Sequence, residues 1–91
     1  MFKKLVIAQW VDSTYYSCEN ATKDDLKDLI PKVLISGGLL VNENEHGISI
    51  CQDIEPETEF LRTVLTIPKI SILDYQIIEV EIKPKKIKSK K

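Results

Sequence analysis

Side chains able to do chemistry are few in this chain, and they fall in three places. The first is "QWVDS", which sets Trp10 beside Asp12 and Ser13. An indole can stack on a base, and a carboxylate with a hydroxyl can bond a base edge or a ribose hydroxyl. The same residues also suit a core. Trp10 is the one tryptophan, and Asp12 and Ser13 are good turn-capping residues. The second place is Ser36-Gly37-Gly38. Backbone N–H groups exposed at a bend can cradle an anion, and a glycine pair inside a strand also lets the strand bend. The third place is "TVLTIPKISILDY", residues 63–75, with Arg62 just before it. Arg62 and Lys69 are the only Lys or Arg between position 33 and position 82, so they are the natural counter-charges for an anionic ligand. Pro68 lacks an N–H and suits a strand end. Lys69 is then either the exposed residue of a turn or a ligand contact. At ~3.3 Å per residue the two cations lie at opposite ends of one strand, so only an oligomer brings them to one small ligand.

Other chemistry finds little support. His46 is the only histidine and sits in a polar turn, with Glu43 and Glu45 nearby. That is a poor metal site and offers no base to a nucleophile. No GxGxxG or GK[ST] pattern occurs, so a triphosphate-binding loop is not expected. The expectation is a non-enzymatic protein with no cofactor and no metal. Cys18 and Cys51 stand far apart without a CxxC, and they read as reduced thiols of a cytoplasmic protein, with Cys51 in the core. Neither a secretion signal nor a membrane-length apolar run is legible.

Charge is strongly divided along the chain. Of 13 Lys and Arg, six lie in "KPKKIKSKK", residues 83–91; the other seven share residues 1–82 with all 14 Asp and Glu. An acidic body argues against broad phosphate-backbone binding, although the Lys83–Lys91 tail could add salt-sensitive affinity for nucleic acid. It could also fold back on the body. A tail this polar is expected to be disordered, which leaves residues 1–82 as one small domain.

The elements that must position these residues are mostly strands. "KKLVIAQWVD" (3–12) puts Leu5, Ile7 and Gln9 on one face and Val6, Ala8 and Trp10 on the other. "TKDDLKDLIPK" (22–32) predicts a short helix capped by Thr22 and Asp25, with Leu26, Leu29 and Ile30 on its apolar side and Pro31 ending it. Strands follow at 32–43, 48–54, 61–68 and 75–82, with a polar turn at 44–47. One tight turn at 69–73 would let Ile70 and Leu73 plug the end of the fold. The prediction is a mainly β protein with one short helix, built as a small, strongly bent five-stranded barrel.

Two resemblances add to this. "TIPKISIL" before a terminal strand is similar in style to the end of Sm-like barrels, where a basic or polar turn lines an RNA-binding ring pore. Those proteins place their helix before the first strand, whereas a strand precedes it here. More extensively, "QWVDS", "ISGGLLVNENEHGISICQ" and "LTIPKISI" resemble, over residues 5–73, a group of small phage-type proteins. That group carries Trp-x-Asp-Ser, Ser-x-Gly-x-Leu-Val, an acidic turn, a short apolar strand and Ile-Pro-Lys-x-x-Ile. It often has a second Trp after the Asp-Ser, where this chain has Tyr15, Tyr16 and Cys18. The resemblance implies a stoichiometric binder acting in the host cytoplasm. The expectation is an anti-defence sponge: a homo-oligomer that sequesters a small anionic nucleotide signal, such as a cyclic nucleotide or cyclic ADP-ribose. Its candidate ligand residues are Trp10, Asp12, Ser13, Ser36, Gly37, Gly38, Arg62 and Lys69. The alternatives are an Sm-like nucleic-acid-binding module and an inhibitor of a host protein.

Overall fold

A computed structural model describes residues 1–13 and 20–87. Five strands form one antiparallel sheet: β1 (Phe2–Asp12), β2 (Lys32–Glu43), β3 (Gly47–Ile54), β4 (Leu61–Pro68) and β5 (Ile72–Glu81). A four-residue helix, α1 (Lys23–Leu26), lies between β1 and β2, and a single 3-10 turn (Lys69–Ser71) joins β4 to β5. The strand order is β4-β3-β2-β1-β5.

That order and the short last connection together force curvature. In a flat sheet β4 and β5 would lie four strand spacings apart, about 19 Å. From Pro68 to Ile72 there are four Cα steps, at most about 14 Å of chain. The sheet therefore curls at this end. It does not close, because β4 and β5 are not paired and each leaves one edge open among the described residues.

β2 makes the curl. Its first half pairs with β1 (Lys32 opposite Asp12 through Leu39 opposite Leu5), and its second half pairs with β3 (Leu39 opposite Cys51 through Glu43 opposite Ile48). The handover falls just after Gly37-Gly38, as a strand shared between two layers requires. A Cβ on Gly38 would stand 2.8 Å from the Cys51 carbonyl oxygen, so only glycine lets β3 come this close. Gly37 has no such neighbour nearer than 3.4 Å.

The core lies inside the bend. Val6, Ala8 and Trp10 from β1 meet Ile48 and Ile50 from β3 and Ile67 from β4, with Leu34, Leu40 and Ile72 packed against them. The alternation read from "KKLVIAQWVD" thus holds, with Val6, Ala8 and Trp10 inside and Ile7 and Leu5 outside. The core is thin. Among the described residues seven hydrophobic residues are buried, while twenty large apolar side chains are exposed. The Cα radius of gyration is 18.7 Å, against about 12 Å for a compact chain of this length.

Two expectations need correction. The helix over 22–32 is shorter than predicted. Thr22 and Asp25 do form the capping box, and the Thr22 N–H holds the Asp25 carboxyl below its usual range. The helix nevertheless ends at Leu26. Pro31 disfavours helical backbone at Ile30, and one turn without a packed face gains too little to propagate. Leu26, Leu29 and Ile30 are exposed. The plug is also different. Ile70 (96% exposed) and Leu73 point outward, and Ile72 fills the end of the core instead. β5 begins at Ile72, three residues earlier than the alternation suggested.

The Gly38 contact yields a paired prediction. Gly38→Ala should cost about 1–3 kcal/mol in urea unfolding, the usual range for overpacking. Gly37→Ala should change stability by less than about 1 kcal/mol. Equal effects would mean that the bend does not rest on the Gly38 approach.

Candidate functional site

The predicted site residues divide into a core group and two separate clefts. Trp10 is buried, and its indole Nε1–H donates to Ser36 Oγ at 3.0 Å across the β1–β2 ladder. The register brings the pair together: Ala8 faces Ser36 and Trp10 faces Leu34. Both polar groups are thereby satisfied, and the ring is enclosed rather than presented for stacking. Asp12 ends β1, where its Oδ1 accepts the Ser13 N–H at 2.8 Å, a turn-capping bond. Ser13 is the last described residue before the segment 14–19, so Tyr15, Tyr16 and Cys18 lie outside the described residues.

Gly37 and Gly38 do not form an anion nest. A nest needs alternating hands of backbone, yet no glycine here has a positive φ, and both face β1 residues (Ile7 and Val6) in the ladder. They line an open cleft of about 390 Å³ with Ser36, Cys51, Gln52 and Thr63, among others, but no basic residue borders it. Thr63 holds φ 56°, a region where a β-branched residue is a genuine outlier.

Arg62 is not a free counter-charge. Its Nε and Nη2 donate to the two carboxylate oxygens of Asp53 at 2.7 and 2.8 Å. Asp53 and Arg62 face each other where β3 and β4 leave the Glu55–Phe60 turn. The sequence reading missed Asp53, although a symmetric hairpin about that turn would have set 53 opposite 62. The arginine holds the Asp53 carboxyl below its usual range, and Asp53 raises the guanidinium. The cleft here, about 660 Å³, is also bordered by Glu55 and Phe60. Its net charge does not favour an anion.

Lys69 is different. It opens the 3-10 turn, and its backbone N–H donates to the His46 carbonyl at 2.9 Å, tying the turn to the β2–β3 loop. Its ammonium makes no ion pair among the described residues. It lines a cleft of about 360 Å³ with Ile48, Ile72, Leu73, Asp74 and Tyr75. The sequence reading missed Asp74 and Tyr75 because it began the last strand at Tyr75 and took residues 69–73 as a plug. As expected, the cleft is far from Arg62, at the other end of β4.

Cys51 is buried, and burial, with Asp53 nearby, pushes its thiol upward. The His46 imidazole Nε2 lies 3.3 Å from a Glu45 carboxylate oxygen, with both side chains in solvent. Among the described residues no three of His, Cys, Asp and Glu come together as a metal site. No helix there is long and apolar enough to cross a membrane.

Two outcomes follow from these environments. In a Cys18→Ser background, Cys51 should resist thiol reagents in the folded protein and react promptly in urea; fast native labelling would place it at the surface. Asp53 has a lowered folded pKa, so its stabilisation is present above the unfolded value and is lost as pH falls from about 4. Asp53→Asn should therefore flatten the acid limb of a stability–pH curve, with urea midpoints as the readout. No family model matches the chain, and no curated protein or solved structure matches it at a significant level.

Proposed function

We propose that this protein acts by stoichiometric binding and that the Lys69 cleft holds a small anionic nucleotide. The observation that carries the reading is the composition of that cleft: a cation without an ion pair among the described residues, a partly exposed tyrosine ring and a carboxylate, on an apolar floor. Each group suits one part of a nucleotide. The Lys69 ammonium suits a phosphate as a point charge. The Tyr75 ring suits a base face. Asp74 accepts hydrogen bonds only, so it suits a ribose hydroxyl or an exocyclic amine. A simple inorganic anion would meet Asp74 unfavourably, which argues for a ligand carrying donors as well as charge.

The chain functions in this reading as a homo-oligomer, with its sheet closing further toward a barrel or extending across subunits. Among the described residues, twenty exposed large apolar side chains around a core of seven buried residues support assembly. The resemblance to small phage-type proteins supports the wider role, an anti-defence sponge that withdraws a cyclic nucleotide or cyclic ADP-ribose signal. The core positions of Trp10 and Ser36 and the Asp53 clamp on Arg62 weigh against the other candidate ligand residues.

Native mass spectrometry of protein taken directly from its expression host, followed by calorimetry with cyclic dinucleotides and cyclic ADP-ribose, tests the reading. A bound nucleotide is expected, with Lys69→Ala weakening it about tenfold to a hundredfold. Tyr75→Phe should retain binding and Tyr75→Ala should lose it. Absence of any nucleotide binding, or indifference to Lys69→Ala, overturns the site.

A further inference from the structure

We propose that β5 is a dimerisation strand. Residues 77–87 pair antiparallel with the same residues of a second copy, about a two-fold axis at Ile82. The inference goes beyond the ligand reading and does not rest on it, since the Lys69 cleft uses the opposite end of β5.

Backbone direction decides which groups the open edge offers. The Ile82 N–H donates to the Met1 carbonyl at 2.9 Å, and Phe2 faces Glu81. Successive residues of an antiparallel strand alternate sides. Ile78, Val80 and Ile82 therefore turn their N–H and C=O toward β1, while Ile77, Glu79 and Glu81 turn theirs to the free edge. β5 ends at Glu81 in the single chain; in the proposed dimer residues 82–87 continue the strand, and the alternation then presents Lys83 and Lys85 outward as well. Pro84, which has no N–H, falls on the inward side and removes no donor from the edge.

Charge then selects the register. With the axis at Ile82, Glu81 meets Lys83 of the second copy and Glu79 meets its Lys85. Ile77 meets its Ile87, and Ile82 meets its own copy. Ile77, Ile78, Ile82 and Ile87 are all exposed in the single chain. Moving the axis one residue either way sets Glu81 or Lys83 against itself, which is unfavourable. The acid-then-lysine order that divides the chain's charge is thus self-complementary in one antiparallel register. Lys86 stays outside this match. In the single chain Pro84, Lys85, Lys86 and Ile87 border an open cleft with Glu55, Pro56 and Glu57, and the dimer requires them to leave it; the Lys86–Glu57 pair there (3.1 Å) is solvent-exposed and Ile87 is almost fully exposed, so leaving costs little.

The other edge is less suited. β4 is shorter, carries Thr63 at positive φ in mid-strand and ends in Pro68. A peptide turned out of the strand in this way interrupts the row of edge donors. β5 has no positive φ, and its irregularity, opposite Gln9/Trp10, lies at the far end.

A cysteine crosslink reads the axis directly. A non-hydrogen-bonded pair across the axis would hold the two Ile82 Cα atoms about 4.5 Å apart, within disulfide reach. In a Cys18→Ser background, Ile82→Cys should form a covalent dimer on mild oxidation, and Ile78→Cys, which would face Lys86, should not. A charge exchange gives an independent readout by sedimentation. Glu79→Lys/Glu81→Lys and Lys83→Glu/Lys85→Glu should each be monomeric alone. Mixed one to one they should form a dimer, because every Glu then meets a Lys. A monomeric Ile82→Cys, equal crosslinking at Ile78→Cys, or unaltered dimers of both charge variants would overturn the proposal, the last by placing assembly elsewhere.

Discussion

Two close backbone approaches hold the sheet together, that of Ile67 in β4 to Gly47 and that of β3 to Gly38, and the bend depends on the second. At 2.8 Å from the Cys51 carbonyl oxygen there is no room for a Cβ. Because the gap is open, β2 can leave β1 and carry on alone with β3, and a single strand serves two layers. The core cluster lies in the fold of that hinge: Val6, Ala8 and Trp10 on one side, Ile48, Ile50 and Ile67 on the other. The Trp10–Ser36 hydrogen bond sits immediately before the glycines. It satisfies the one polar atom that a buried indole must place somewhere. Residues whose types suggested a ligand, the tryptophan, the serine and the glycine pair, are thus the parts that make the bend.

The same geometry sorts the charges. Pairing β3 with β4 sets Asp53 opposite Arg62, and a planar guanidinium against a carboxylate is a strong match in shape and charge. Lys69 escapes such pairing because it lies in the turn, outside the ladder, where no opposite residue is assigned to it. Of two cations that looked equivalent in sequence, one is neutralised by register and the other is left at a cleft with Asp74 and Tyr75.

The strands were legible as apolar, β-branched runs bounded by polar turns, and β1, β2, β3 and β4 lie within one residue of the expected bounds; a burial period of two is clear in β1. Turn chemistry was legible in the same way. The Thr22–Asp25 box starts α1, and Asn44 caps the loop before Gly47 by accepting from the His46 and Gly47 N–H groups. What failed was the assignment of local apolar residues to a distant destination. Leu26, Leu29 and Ile30 have helical spacing but no surface to meet, and Ile70 and Leu73 have the right spacing for a plug while the backbone turns Ile72 inward. Spacing fixes which side chains share a side; which side faces the core depends on a contact across the fold. The candidate site was hidden for the same reason. Asp74 and Tyr75 reach Lys69 only because the 3-10 turn is a single turn and β5 begins directly after it.

A sheet that, among the described residues, is bent enough to bury a core but not closed leaves two consequences that cannot be separated. Apolar side chains on its outer face remain in water, and two rows of backbone donors and acceptors remain unpaired. Solvated backbone groups cost little, but flat, apolar edges invite uncontrolled pairing. Natural sheets guard such edges with charge. Here the guard on β5 and the residues after it is split, acidic at Glu79 and Glu81 in the strand and basic at Lys83 and Lys85 beyond it. A guard of one sign would repel every copy in every register. A guard of two signs in this order repels a parallel in-register copy and the neighbouring antiparallel registers, and it admits one. The charge asymmetry that the composition conceals in a net value of −1 is therefore best understood as a property of one strand and its extension, where opposite signs lie a few residues apart on a free edge.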